Sequence, residues 1–419
     1  MDAVTLRAEI HGQIEKIGTA DIVVGIPSYN NAHTIAHVVR AVQAGLAKYF
    51  PEHKAVIVNS DGGSGDGTME VVYNTSISDF DAILLHHRIS PISKIAFPYS
   101  GIPGKGSAFR SIFEIAQKLE ATACVVVDSD LRSITPEWIE LLVKPVLVGG
   151  FDYISPLYHR HKFDGTITNS IVYPLTRALY GKRVRQPIGG DFGFSGKLAQ
   201  YYLTKDVWDT DVARFGIDIW MTTTAIANGF KVAQSFLGAK IHDAKDPGAD
   251  LSDMLYQVVS ATFELMDTYA EVWKPVRGSE PVTTFGFEYS VGLEHVNVNT
   301  ARMLKVFREG IVNLRDVWIN ILGAGDLQEV ERLGGLDDRE FRFPTELWAR
   351  IIYDYALACH LKKMPREHLI KSLTPLYVGK TASFVMEVDP LSPHEAEAEI
   401  EKLCMDFENS KDYLLTRWK

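Results

Sequence analysis

The apolar residues of this chain follow two rhythms. Over residues 21–156, short unbroken apolar runs alternate with stripes at helical spacing. Asp21-Ile22-Val23-Val24-Gly25-Ile26 predicts a strand, broken by Pro27. Ile35, Val38, Val39, Val42 and Leu46 then mark one face of a helix. Ala55–Val58 is the next predicted strand and Ala82–Leu85 a third. Ala108, Ile112, Ile115, Ala116 and Leu119 mark a second helix, and a further apolar run from Ala123 ends in Val127-Asp128-Ser129-Asp130. Strands separated by helices predict βαβ units and a mostly parallel sheet, with ligands at the carboxyl ends of its strands.

From about Leu251 the rhythm is helical only. Leu251, Leu255, Val258, Val259, Thr262, Leu265 and Met266 form one stripe; Met303, Val306, Phe307, Ile311, Leu314 and Trp318 form another. Segments 347–361 and 396–407 read as helices too, and a Pro- and Gly-bearing loop spans Trp273–Val282. The predicted organisation is an N-terminal extension (1–20), an α/β domain (21–250) and a mainly helical C-terminal domain (251–419), without internal repeats.

Composition narrows the class. The chain has 419 residues, 46% hydrophobic and 23% charged, enough for two sizeable cores. A net charge of −10 argues against a nucleic-acid partner. The 3 cysteines, Cys124, Cys359 and Cys404, have neither metal-ligand spacing nor an even count. No apolar stretch reaches membrane-spanning length and Met1–Ala20 carries no leader-like apolar core, so the expectation is a soluble, cytoplasmic chain without a membrane partner.

The candidate chemistry sits where strands end. Side chains two apart on a strand share a face, so Asp128 and Asp130 converge if the strand continues through them. Two hard carboxylates suit Mg²⁺ or Mn²⁺ shared with a diphosphate; an Asp-rich turn produces the same letters. Loops Pro27-Ser28-Tyr29-Asn30-Asn31 and Asn59–Thr68 follow the first two strands, the second rich in glycine and carrying Asp61. Gly104-Lys105-Gly106 opens a helix, where a lysine and free backbone N–H groups can meet an anion; a solvated loop lysine is the plain alternative. His242 is a candidate third metal ligand or an ordinary surface histidine. Gly189-Gly190-Asp191 and Phe215-Gly216-Ile217-Asp218 set carboxylates beside glycine, as turns or a sugar pocket would.

Taken in order, these pieces resemble the retaining GT-A glycosyltransferases, among them glucosyl-3-phosphoglycerate and mannosylglycerate synthases. The residues that carry the likeness are Ile26-Pro27 with Asn30, the loop with Asp61, Pro103–Gly106, Asp128–Leu131, Gln186–Gly190, Phe215–Asp218 and Ile241-His242. The resemblance covers residues 20–250, and the helical region is similar in kind to the extra domain of mannosylglycerate synthase. It implies a Rossmann-like GT-A domain that binds a nucleoside-diphosphate sugar: UDP-glucose, GDP-glucose or GDP-mannose. Donor contacts would come from Pro27, Tyr29, Asn30, Asp61, Gly104, Lys105, Asp128, Ser129 and Asp191, with Asp61 at the nucleobase and Lys105 at the diphosphate or nucleoside. Asp130 and His242 would ligate Mg²⁺ or Mn²⁺, with Asp128 against ribose or metal. Gly189 and Gly190 would border the sugar, and Asp218 would hold its hydroxyls or orient the acceptor, making a catalytic set with Lys105.

The acceptor side departs from one relative and resembles the other. Glucosyl-3-phosphoglycerate synthases place an Arg and an Asn where Thr166 and Ala244 stand here. The run Arg160 to Thr168 is similar to the mannosylglycerate synthase loop, whose Arg, Asp and Thr are matched by Arg160, Asp164 and Thr168, with Thr166 and Ile167 between. This points to D-glycerate, with 3-phosphoglycerate as the alternative acceptor. The family's Glu after Asn30 is Asn31 here, and its Gly-Gly-Glu acid is Asp191. A sugar-phosphate nucleotidyltransferase would want a Gly-rich, Arg-bearing first loop, and a phosphohydrolase a Thr or Val at Arg132; neither is present. A homodimer through the C-terminal helices is a further expectation.

Overall fold

The runs of Val and Ile form strands buried on both faces, as a sheet covered by helices on each side requires. The structure, a computed structural model, describes residues 8–75, 92–241, 252–288, 296 and 298–418. Its strands are β1 (Ile22–Ser28), β2 (Ala55–Asp61), β3 (Ile92–Pro98), β4 (Ala123–Val126), β5 (Tyr153–His159), β6 (Lys182–Arg183), β7 (Phe192–Ser195), β8 (Val232–Ala239), β9 (Glu280–Pro281) and β10 (Thr283–Phe285). Eight of them form one sheet in the order β10-β8-β5-β7-β4-β1-β2-β3, and β6 pairs with β9 separately. All neighbours in the large sheet run parallel except β7, which is antiparallel to both β4 and β5.

Alternation along β1 explains the layers. Ile22, Val24 and Ile26 share a core with Val38, Val39 and Val42 of the helix Ile35–Tyr49 and with Trp138, Ile139 and Leu142 of the helix Pro136–Leu147. The opposite face takes the helix Lys105–Lys118, which approaches so closely that a Cβ on Gly25 would overlap the Ile112 side chain. Pro27 does not break β1, which runs on to Ser28. Val127 donates to the Gly25 carbonyl, so Gly25 and, two residues on, Pro27 face β4, and the Pro27 nitrogen falls beyond the β4 ladder, which ends at Val126. The predicted strand Ala82–Leu85 lies outside the described residues; β3, beside β2, was not expected because Ser93 and Lys94 interrupt its apolar character.

The chain divides into two compact units, and not by a single cut near residue 250. The first comprises Met1–His159, Ile188–Ala244 and Val282–Val291; the second takes Arg160–Pro187, Lys245–Pro281 and Gly292–Lys419. The segment 160–187 therefore leaves the α/β unit for the helical one. The N-terminal stretch includes a helix, Ala8–Ile17, whose Ile10 and Ile14 are buried, so it is part of the first unit.

The second unit is helical, as the stripes predict. Helices Thr300–Trp318 and Arg366–Val388 touch where Gly310 lies on Pro375 and Gly379 on Phe307, and a side chain at either glycine would overlap its neighbour. Helix Pro393–Asn409 starts with a reciprocal capping box between Ser392 and Glu395 and with proline in its first turn. Buried Arg177 reaches Glu401 at 2.6 Å and Glu408 at 2.7 Å, pinning helix Tyr173–Tyr180 to it. Among the described residues no helix is long and apolar enough to cross a membrane.

Candidate active site at the carboxyl edge of the sheet

β4 delivers the acidic motif but not in strand geometry. The strand ends at Val126; Val127 and Asp128 follow without regular structure, and Ser129-Asp130 turn away. The alternation that would put Asp128 and Asp130 on one face therefore does not apply. The Asp128 N–H donates instead to Asp191 Oδ1 at 2.8 Å, a side-chain bond that takes over where the β4–β7 ladder stops. Ser129 is buried; its hydroxyl donates to Asn31 Oδ1 at 2.8 Å, and its carbonyl accepts from Thr34 at the same distance. These bonds tie the motif to the loop after β1.

Around Asp128 the structure gathers a cluster the sequence showed only in part. Lys105 Nζ lies 2.8 Å from Asp128 Oδ1 and 3.3 Å from Asp218. Lys240 Nζ donates to Asp128 Oδ2 at 2.7 Å, to the Gly189 carbonyl at 2.8 Å and to Asp191 Oδ2 at 2.8 Å. Tyr158, near the end of β5, also donates to Asp191 Oδ2. Burial works against ionisation of Asp128, but Lys105 and Lys240 outweigh it and hold the carboxyl well below its ordinary range. Burial pulls the Lys105 ammonium down, and Asp128 and Asp218 more than restore it. Asp218 shifts the other way: burial raises it against the pull of Lys105. Asp218 Oδ1 is buried and lies 3.3 Å from the Lys105 ammonium, which makes its hydrogen bond to Oδ2 at the same distance; Oδ1 itself accepts no hydrogen bond among the described residues.

Local sequence explains these placements. Lys105 is the first residue of its helix, and Gly106 is needed because a Cβ there would run into the Val212 carbonyl. The Gly106 N–H is used on Arg214 O at 3.2 Å, and Gly104 N–H donates to the Tyr99 hydroxyl at 2.8 Å. The motif therefore turns its lysine toward carboxylates while these N–H groups bond within the protein. Asp218 stands in the first turn of helix Ile217–Ala227, where the helix dipole favours an anion. Gly190 adopts φ +92°, and a Cβ on it would land on the Asp128 carboxylate and 3.0 Å from Lys240 Nζ.

The loop expected to meet the base is built on Asp61. That residue is fully buried, and its carboxylate accepts from the Ser28 and Ser64 hydroxyls at 2.7 Å and from the Gly63 and Ser64 N–H groups at 2.8 and 2.6 Å. Both oxygens thus brace the loop from beneath. Exposed Tyr29 and Asn30 stand on the neighbouring loop after β1, with Asn30 in the left-handed region at φ 54° and bonded to Ser64 and Gly65 of the Asp61 loop. Pro27 is buried in β1.

The acceptor candidates fall in the second unit. Arg160 and Asp164 pair at 3.1 Å and both are partly exposed, as is Thr168. Thr166 and Ile167 are buried, with the Thr166 hydroxyl against that of Tyr377. His242 lies outside the described residues. Ile241, just before it, is held by Arg132 N–H and the Ser133 hydroxyl at 2.9 Å each. Among the described residues no group of three or more His, Cys, Asp or Glu converges as a metal centre. Asp128 and Asp130 offer the hard oxygen type that Mg²⁺ and Mn²⁺ prefer, with both Asp128 oxygens paired to Lys105 and Lys240 in this structure.

Lys240 is the residue sequence reasoning missed. Its only signal is position: a lysine embedded in the run Phe236-Leu237-Gly238-Ala239-Lys240-Ile241, where a surface lysine would be out of place.

No protein-family profile and no curated relative matches the chain. Among solved structures it is similar to glucosyl-3-phosphoglycerate synthase from Mycobacterium tuberculosis in complex with Mn²⁺, UDP and glucosyl-3-phosphoglycerate, at 19% identity over 62% of this chain and 84% of that one, TM-score 0.44. The same enzyme with Mg²⁺ and UDP gives 19% identity, 62% and 83% coverage and 0.43. A further mycobacterial protein gives 20% identity, 62% and 78% coverage and 0.43. Those ligands belong to those proteins; for this chain the α/β architecture stands on its own strand order.

Proposed function

We propose that the first unit is the donor-binding half of a retaining, metal-assisted GT-A hexosyltransferase that moves glucose or mannose from a nucleoside diphosphate to a hydroxyl of D-glycerate. The observation that carries this reading is the buried cluster at the carboxyl edge: Lys105 and Lys240 among Asp128, Asp191 and Asp218, beside the Gly189–Gly190 turn. Glycosyl transfer makes a charged diphosphate leaving group, and Lys105, held at the start of its helix beside Asp128 and Asp218, would supply a cation to neutralise it. Asp218 Oδ1, ion-paired with Lys105 at 3.3 Å but accepting no hydrogen bond among the described residues, is suited to accept from a sugar hydroxyl. Asp130 and Asp128 would hold Mg²⁺ or Mn²⁺, which supplies charge neutralisation at the diphosphate. Tyr29 and Asn30, carried on the loop after β1 that bonds to the Asp61 loop, would face the base. For the acceptor, the partly exposed pair Arg160–Asp164 with Thr168 supports a carboxylate-bearing partner. Product analysis tests the reading: incubation with each nucleoside-diphosphate hexose and D-glycerate should give one glycosylglycerate whose anomeric proton coupling matches that of the donor. An inverted anomer would remove the retaining mechanism, and a product only from 3-phosphoglycerate would replace the acceptor.

A further inference from the structure

Two cluster residues are placed to hold other groups rather than a ligand. Asp191 has a fully buried side chain, and that of Lys240 is 4% exposed. The ammonium meets three oxygens, one from Asp128 after β4, one from the Gly189 carbonyl and one from Asp191, just before β7. Asp191 accepts from the Asp128 backbone N–H, from Lys240 and from the Tyr158 hydroxyl, and Tyr158 also lies with its ring 5.3 Å from Lys240 Nζ. Four strand ends, those of β4, β5, β7 and β8, are thus joined by one buried ion pair. Gly190 completes the arrangement: its left-handed conformation and missing Cβ let the Asp128 carboxylate sit against the turn.

We propose that Asp191 and Lys240 are positioning residues: their ion pair fixes the Asp128 carboxylate against the Gly189–Gly190 turn and touches no substrate atom. Asp191 therefore acts through Asp128 and the turn, not as a donor contact. The kinetic part of the test rests on the transferase reading; the structural part does not.

The test uses the full chain, with Asp191→Asn and the milder Tyr158→Phe, which deletes one hydroxyl and keeps the pair. A misplacement near 1 Å costs up to about 100-fold in rate, so Asp191→Asn should lower kcat about 10- to 100-fold and Tyr158→Phe about 2- to 5-fold. Donor KM should stay within about threefold in both, since no ligand contact is lost. A donor KM that rises as much as kcat falls would make Asp191 a donor contact and overturn the proposal, as would unchanged kcat in both variants. Crystal structures of the two variants decide the point without turnover. A shift of roughly 1 Å between the Asp128 carboxylate and Gly190 supports it, and an unmoved carboxylate in both overturns it. Wild-type protein inactive on every donor would overturn the transferase reading alone, and the crystallographic comparison would then decide the roles of Asp191 and Lys240.

Discussion

Lys105 Nζ sits 2.8 Å from Asp128 Oδ1, so the helix-opening lysine and the acid that ends the β4 run, 23 positions apart in sequence, form one partly buried ion pair. Asp218 shares the same ammonium at 3.3 Å. Removing the cation leaves two buried carboxylates facing each other and takes away the group assigned to the leaving diphosphate. Lys105→Gln should therefore lower kcat about 10²- to 10³-fold, or roughly 3–4 kcal/mol of transition-state stabilisation. Steady-state kinetics at saturating metal checks this; a loss under threefold would detach Lys105 from the reaction.

Gly190→Ala probes the turn. The new methyl meets the Asp128 carboxylate, and the backbone at φ +92° is strained for any residue with a Cβ. The strain alone costs about 1–3 kcal/mol, and the carboxylate must move as well. The variant should melt at lower temperature and lose most activity, whereas Gly63→Ala, also at positive φ but with open space around it, should cost stability without displacing Asp128. Equal activity in the two variants would contradict this assignment.

How much of this was readable beforehand depended on whether a signal was local. β1, β2 and β4 announce themselves as Val and Ile runs because both faces of a covered parallel sheet are apolar. The helical stripes of the second half fold as predicted because each such helix buries one face and leaves the other polar. Lys240 was missed because its burial depends on oxygens from Asp128, Gly189 and Asp191, which only the sheet order brings to it. The transfer of 160–187 to the helical unit was equally hidden: Arg177 is buried by Glu401 and Glu408, more than 200 positions away. Asp61 was singled out as a base contact, but sequence could not show that its carboxylate would be buried and would accept bonds from Ser28, Gly63 and Ser64.

Stability should depend on pH through Lys380. This lysine is buried in the second unit, donates to the Phe343 carbonyl and borders a cavity of about 20 Å³, room for one water. Burial lowers its pKa from 10.5 to about 8. Below pH 8 both folded and unfolded chains carry the proton, and the fold bears the full penalty. As pH rises from 8 toward 10.5 the folded chain releases it first, so stability increases, by at most about 3 kcal/mol. The buried thiols of Cys124, Cys359 and Cys404 oppose this from about pH 9 and buried tyrosines such as Tyr353 and Tyr355 near pH 10, because burial raises all of them and they ionise first in the unfolded chain. Denaturant unfolding at pH 8.0 and 9.5 should therefore show a more positive pH slope of stability in wild type than in Lys380→Met. Identical pH slopes would contradict the assignment.

Lys411 is a structural cation. Its ammonium donates to the carbonyls of Ala178, Leu179, Trp273 and Val276 at 2.8–3.3 Å, closing the end of helix Tyr173–Tyr180. Lys411→Met leaves those carbonyls without that donor and should destabilise the second unit by about 3–5 kcal/mol. Chemical denaturation checks this, and a change below about 1 kcal/mol would show that water replaces the ammonium at little cost.

The cluster around Asp128 is proposed, above all, to transfer a hexose from a nucleoside diphosphate with the help of a divalent ion. The most direct measurement is nucleoside-diphosphate release by the wild-type chain, crossing UDP-glucose, GDP-glucose and GDP-mannose with D-glycerate and 3-phosphoglycerate, in Mg²⁺ or Mn²⁺ and in EDTA. The predicted result is acceptor-dependent release from one donor with D-glycerate, abolished by EDTA. Absence of release from every donor, or release indifferent to EDTA, would contradict it.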